Sequence, residues 1–137
     1  MKVDAVWRPY RVTGGLWILL LCGVPPLACA APPEVRLSTA QIRSTLGGHQ
    51  VTDGRHWTHD YFQDGRLERS ESGRMRSGRW SAQNNQLCLR LPEVSKESPV
   101  CFDVVRVGHE LQYRDAGRVV YQGAVGKNTT QLFSAPR

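Results

Sequence analysis

The chain has 137 residues, with 18 Lys+Arg against 12 Asp+Glu, a formal net charge of +6, and four cysteines. That length suits one domain with a modest core and excludes a large multidomain enzyme. A body this small buries a lesser share of its surface than a large one and gains much from a covalent clamp.

The N-terminal stretch sets the compartment. Lys2, Arg8 and Arg11 precede an unbroken run of apolar residues and glycines from Gly15 to Val24, and Pro25-Pro26 then interrupts any helix. This is the layout of a secretory signal peptide. Ala28-Cys29-Ala30 places alanine at both positions that a signal peptidase reads, so residues 1–30 are expected to be removed after Ala30. Lipidation of Cys29 is the alternative, although Pro26-Leu27-Ala28 fits a lipoprotein motif poorly at its first position. An uncleaved anchor would want about 20 apolar residues, and the proline pair cuts this run short. The expected product is a periplasmic or secreted domain with no transmembrane span. Its net charge serves solubility first. In an exported chain it also favours an envelope protein or anionic envelope polymer over nucleic acid as partner.

Residues 31–36 (APPEVR) read as a flexible, Pro-rich leader. The next segment, LSTAQIRSTLGG, reads as a helix. Ser38 is an N-cap, Gln41 completes a capping box, and Leu37 with Ile42 forms a hydrophobic staple. Ile42 and Leu46 share one face, and Gly47-Gly48 ends the element. So short a helix must dock to persist.

Everything beyond reads as strands, punctuated by TDGR, QDGR, ESGR, QNNQ, VGHE and DAGR. Apolar residues recur with period two at Trp57, His59 and Tyr61; Leu87, Leu89 and Leu91; Val100, Phe102 and Val104; Leu111 and Tyr113; and Val119 and Tyr121. Such alternation predicts a sheet with one buried face. The absence of crossover segments predicts an antiparallel meander. Gly78, Gly117 and Gly123 are the expected bends or bulges. YFQDGRL and YRDAGRV echo one another as two similar hairpins.

Cys88 and Cys101 lie on two alternating segments joined by PEVSKESP. Setting Leu87 opposite Phe102 and Leu89 opposite Val100 puts the cysteines opposite each other, about 4.5 Å apart at Cα in a non-hydrogen-bonded pair. In an oxidising compartment this predicts a disulfide. The spacing suits neither a zinc site nor a Cys-x-x-Cys redox motif.

The most chemical stretch is DGRHWTHDYF, with Asp53, His56, His59, Asp60 and Tyr61. On a strand His56 and His59 face opposite sides, while His59 shares a face with Trp57 and Tyr61. The plain expectation is a histidine partly buried in an aromatic row; the functional one is a patch that stacks on a ligand such as a sugar. His59 with Asp60 is the local pair to examine for catalysis. The run GRLERSESGRMRSGR offers Arg66, Arg74 and Arg76 for carboxylates or phosphates, and their alternation with Met75 and Ser77 is read as the exposed side of a strand. No nucleophile elbow, phosphate loop or metal motif occurs, so no catalytic, metal or cofactor residue is expected. Asn128-Thr129-Thr130 matches a glycosylation acceptor, informative only in a eukaryotic secretory pathway.

From Leu37 to about Val125 the order of the helix, YFQDGRL, SGRW, LCLRL, CFDVV and LQYRDAGRV resembles small exported proteins of proteobacteria with no assigned activity. The resemblance implies an envelope location and the disulfide, and contributes no active site. The sequence thus predicts a mainly β domain over residues 37–127, with one short N-terminal helix and an antiparallel meander of about seven to eight strands, open or partly closed into a barrel. A tail follows at 128–137. Three functions compete: a non-catalytic envelope module binding a protein or anionic polymer, an inhibitor of an extracellular hydrolase acting through the 92–99 loop, and an enzyme or small-ligand barrel.

Overall fold

A computed structural model describes residues Cys29–Asn128. The expected signal peptide and almost all of the expected tail lie outside the described residues, and the folded unit begins at Ala31. Its order is β1 (Glu34–Arg36), α1 (Thr39–Leu46), β2 (His49–Thr52), β3 (Trp57–Tyr61), β4 (Arg66–Glu71), β5 (Arg74–Gln83), β6 (Gln86–Arg90), β7 (Val100–Val107), β8 (Glu110–Asp115) and β9 (Arg118–Lys127). Strands β2 to β9 run as an antiparallel meander, and β9 returns to pair with β2, His49 opposite Lys127 and Val51 opposite Val125. The result is a closed eight-stranded barrel with one extra strand.

The helix forms where its caps predict. Ser38 Oγ accepts from the Gln41 N–H, and Gln41 Oε1 accepts from the Ser38 N–H. Ile42 and Leu46 are fully buried. The Asn84-Asn85 turn adopts positive φ at both residues, 51° and 57°, which asparagine tolerates. Asn85 then pins the start of the helix: its Oδ1 accepts from the Thr39 N–H at 3.0 Å, and its N–H donates to Thr39 Oγ1 at 2.9 Å. Helix α1 thereby sits over the end of the barrel that carries the β5–β6 turn.

The extra strand corrects the expected leader. Residues 34–36 pair with β7, Glu34 opposite Val107 and Arg36 opposite Val105. Strand β6 covers only Val100–Phe102 of β7, which leaves the far half of that edge for β1 to fill. Arg114 holds Glu34 through two hydrogen bonds of 2.9 and 3.0 Å, and the Leu37 N–H donates to Val104 O at 2.8 Å.

The disulfide Cys88–Cys101 is present in the expected register, with Leu87 opposite Phe102 and Leu89 opposite Val100. The three expected bends resolve into different roles. The register shift in β9 falls between pairs Tyr113–Tyr121 and Arg114–Val119, so the bulged residue is Val120 and not a glycine. Gly117 instead occupies the two-residue β8–β9 turn with φ 83°. Gly78 and Gly123 are sites of close approach: a Cβ would stand 2.6 Å from Arg90 O at the first and 2.5 Å from Thr52 O at the second.

The barrel is filled. Leu67, Leu87, Leu89, Leu111, Val51, Val104, Tyr61 and Tyr113 are essentially inaccessible along its axis. No helix of the described residues is long and apolar enough to cross a membrane.

Candidate functional site

Strand parity decides which side chains meet inside. On β3 Trp57, His59 and Tyr61 point inward, and on β4 Leu67, Arg69 and Glu71 do so, because His59 pairs with Arg69 and Tyr61 with Leu67. The consequence is a polar cluster at the barrel end opposite α1. His59 Nε2 lies 2.8 Å from Glu71 Oε1, Arg69 Nη1 donates to the same oxygen at 3.0 Å, and the Tyr121 hydroxyl donates to it at 3.2 Å. One carboxylate therefore collects three donors. Rings close over the imidazole: Trp57 at 4.7 Å and Tyr121 at 4.9 Å between centroids. Deeper in, His59 Nδ1 lies 3.4 Å from Tyr61 Oη, and the Tyr61 hydroxyl donates to Tyr113 Oη at 2.9 Å.

Electrostatics follow from burial. His59 is 0% exposed, and desolvation pulls its pKa down to about 4, against the opposing pull of Glu71. Glu71 is itself held below the usual carboxylate range: burial works to raise it, but the hydrogen bond from His59 and the charge of Arg69 outweigh that. At neutral pH a neutral imidazole thus donates to a carboxylate. Burial pushes the Tyr61 and Tyr113 hydroxyls well above their ordinary value, so both stay protonated.

The expected pair of His59 with Asp60 does not form. Successive residues of a strand face opposite sides, so Asp60 lies on the outer wall opposite Glu68. There burial and then Glu68 raise its pKa. Asp53 and His56 belong to the β2–β3 loop. Asp53 Oδ1 accepts from the backbone N–H groups of Arg55, His56 and Trp57, which fixes the loop and explains the TDGR signal.

The patch suggested by sequence therefore divides. Trp57, His59 and Tyr61 line the interior, with His59 and Tyr61 fully buried. Arg66 points outward, 4.3 Å over the Phe62 ring and paired with Asp64. Arg74 and Arg76 are exposed, as the sequence predicts, but the register sets them on the inward-facing side of the sheet, Arg74 opposite Glu71 and Arg76 opposite Arg69. Met75 takes the outer side, 66% exposed. Strand β5 meets β6 only from Arg79 onward, so the Arg74–Gly78 segment rises past the closed wall as a cationic lip.

Sequence reasoning placed Arg69 and Glu71 only within the charged run, missing their inward direction, and missed Glu93 altogether. The first two were accessible to it, since they alternate with Leu67. Glu93 lies in the β6–β7 loop, yet it ion-pairs with the buried Arg69 Nη2 and stands 3.8 Å from Arg76 Nη1. No pattern in PEVSKESP marks this.

Another cleft lies at the helix end. It holds about 660 Å³ among Arg43, Gly47, Gln63, Asp64, Arg79 and Trp80. Three of its polar side chains are already engaged, with Arg43 donating to Ala82 O, Arg79 to Asp64 O and Trp80 Nε1 to Phe62 O. The open end is the better candidate because Arg74, Arg76 and Glu71 remain exposed or partly exposed there. Among the described residues no group of three His, Cys, Asp or Glu is placed to hold a metal ion.

Fold and site together define a filled, disulfide-stapled antiparallel barrel with a charged, aromatic open end. Comparison with known protein families, curated proteins and solved structures found no match to this chain.

Proposed function

We propose that the open end is a non-catalytic binding surface for an anionic, carboxylate-bearing polymer of the cell envelope. The observation that carries this reading is the cationic lip: Arg74 and Arg76 lie on the inward side of β5 opposite Glu71 and Arg69 of β4, which pair in turn with Trp57 and His59 of β3. Guanidinium groups grip carboxylates in planar, paired hydrogen bonds, and flanking aromatic faces suit sugar rings. Binding is favoured over turnover because His59, the obvious acid–base group, has no access to solvent. The filled axis speaks against a small-ligand barrel. The disulfide supports export to an oxidising compartment.

Affinity electrophoresis through gels containing polygalacturonate, with neutral dextran as control, tests the reading. The protein should be retarded by the first only, and the Arg74→Gln/Arg76→Gln pair should remove the retardation. Arg106→Gln/Lys127→Gln, the same charge change at the opposite end, should leave it intact. Equal loss from both pairs would reduce the effect to net charge and end the proposal.

A second reading, inhibition of an extracellular hydrolase, draws on the exposed Lys96 in the disulfide-flanked 92–99 loop. The loop curls into a turn, the Val94 and Ser95 N–H groups both donating to Leu91 O, and does not extend as a substrate mimic would. Unchanged hydrolase inhibition by Lys96→Ala would remove it.

A further inference from the structure

Arg69 holds more hydrogen-bonding capacity than its neighbours use. Its side chain is 3% exposed, and Nη1 is taken by Glu71. The opposite edge of the guanidinium, Nε and Nη2, is the edge that receives a carboxylate side-on through two parallel hydrogen bonds. Here Glu93 Oε1 ion-pairs with Nη2, and neither Nη2 nor Nε, both buried, has a hydrogen-bond partner. A purely structural ion pair ordinarily satisfies buried donors. This bidentate edge is met by one ion pair and by no hydrogen bond, and that pair comes from a loop.

That loop has little else to hold it. Its hydrogen bonds are local: Val94 and Ser95 N–H donate to Leu91 O at the root of the loop, and Glu97 and Ser98 N–H donate to Ser95 Oγ. Among the described residues, the polar ties from residues 92–99 to the barrel are the ion pairs of Glu93 with Arg69 and Arg76. Glu93 keeps 26% of its side chain exposed and Arg76 41%, so an external group can reach the pair from the open end.

We infer that Arg69 and Arg76 form a carboxylate site which Glu93 occupies as a built-in ligand, and that an external carboxylate displaces Glu93 and frees the 92–99 loop. This rests on the binding reading above and adds to it a latch and a preference for multivalent ligands. A tethered carboxylate competes at an effective concentration on the order of millimolar. A single free carboxylate must match that level, whereas a polymer presenting many carboxylates, already gripped by Arg74, overcomes it at far lower concentration.

Lys96 reports the state of the latch, because it is exposed within the loop and trypsin cuts after it. Cleavage of the Lys96–Glu97 bond is followed by mass spectrometry in the intact disulfide-bonded protein. Glu93→Gln should accelerate it about fivefold or more without ligand, since local opening sets the rate. In the wild type, polygalacturonate should produce a similar acceleration, and monomeric galacturonate should do so only at millimolar concentration or above. Arg76→Gln should abolish the response to polymer. Wild-type cleavage in Glu93→Gln overturns the latch while leaving gel retardation, and with it the binding reading, untouched. Retardation by polymer without faster cleavage likewise sinks the latch alone. An open loop in Glu93→Gln with neither retardation nor a polymer response overturns both.

Discussion

The hydroxyl of Tyr61 on β3 donates to that of Tyr113 on β8 at 2.9 Å, across the barrel interior. These tyrosines open the two echoing segments YFQDGRL and YRDAGRV, so the repeat visible in the sequence is also a contact. Both rings are inaccessible to solvent; the Tyr113 hydroxyl pairs with Tyr61, whose own oxygen also lies 3.4 Å from His59 Nδ1. Removing one hydroxyl leaves its mate buried with one partner fewer. Tyr61→Phe or Tyr113→Phe should each destabilise the domain by about 1–2 kcal/mol. The double variant should cost less than the two single losses together, because no orphan then remains between them. Urea denaturation of the four proteins gives the coupling, and strictly additive losses would disprove it.

Acid should weaken the fold through His59. Its pKa is about 4 when folded against 6.5 ordinarily. The unfolded chain therefore binds the proton first as pH falls. Stability held by the neutral imidazole is complete above 6.5, declines between 6.5 and about 4, and is gone below; the gap corresponds to roughly 3 kcal/mol. The groups facing the ring are Glu71 and Arg69 from β4, Tyr61 and Trp57 from β3, and Tyr121 from β9. Glu71, with its lowered pKa, adds a loss in the acid range below its ordinary 4.5. His59→Gln should flatten the slope between pH 6.5 and 4.5 in chemical denaturation. A slope identical to wild type would show that another group carries it.

The bridge between Cys88 and Cys101 closes a separation of 13 residues. Chain entropy assigns such a loop about 3 kcal/mol, a large part of the stability of so small a domain. Reduction, or the double Cys→Ser variant, should lower the unfolding midpoint sharply while leaving the barrel formed in cold buffer. Thiol titration before and after reduction checks the state of the pair. An unchanged midpoint would mean that hairpin packing alone holds this edge.

Glycines should divide by cause. At Gly123 an added methyl meets Thr52 O at 2.5 Å and the Trp57 ring at 3.0 Å, where β9 closes the barrel on β2. Gly123→Ala should cost more than about 2 kcal/mol through overpacking. Gly73 lies in open space with φ 76°, so Gly73→Ala should cost only about 1 kcal/mol through backbone strain. Thermal melts of both variants give the ranking, and a reversed order would contradict the closure geometry.

Local chemistry determined much of this protein from its sequence. Ser38 and Gln41 cap a helix because a side chain must satisfy the free N–H groups of its first turn. The positive-φ turns draw on Gly73, Gly117 and the pair Asn84-Asn85, which tolerate that region, while Ser72 and Ala116 enter it beside their glycines. Leucine alternation placed Cys88 against Cys101 because a one-residue slip would expose every apolar side chain. What needed tertiary structure was the choice of partners between elements. Period two divides Arg74-Met75-Arg76-Ser77 into two faces, but it does not say which is inner. Pairing with Glu71 and Arg69, and with Trp80 and Ala82 further along β5, decided that, against the apolarity of Met75. Likewise, the shortness of β6 turned the Glu34–Arg36 leader into a strand. Closure of β9 onto β2 brought Tyr121 to Glu71 and sealed His59 from water. Glu93 reached Arg69 only because the loop that carries it folds over the open end. These outcomes depend on contacts between residues far apart in the chain, and no local preference encodes them.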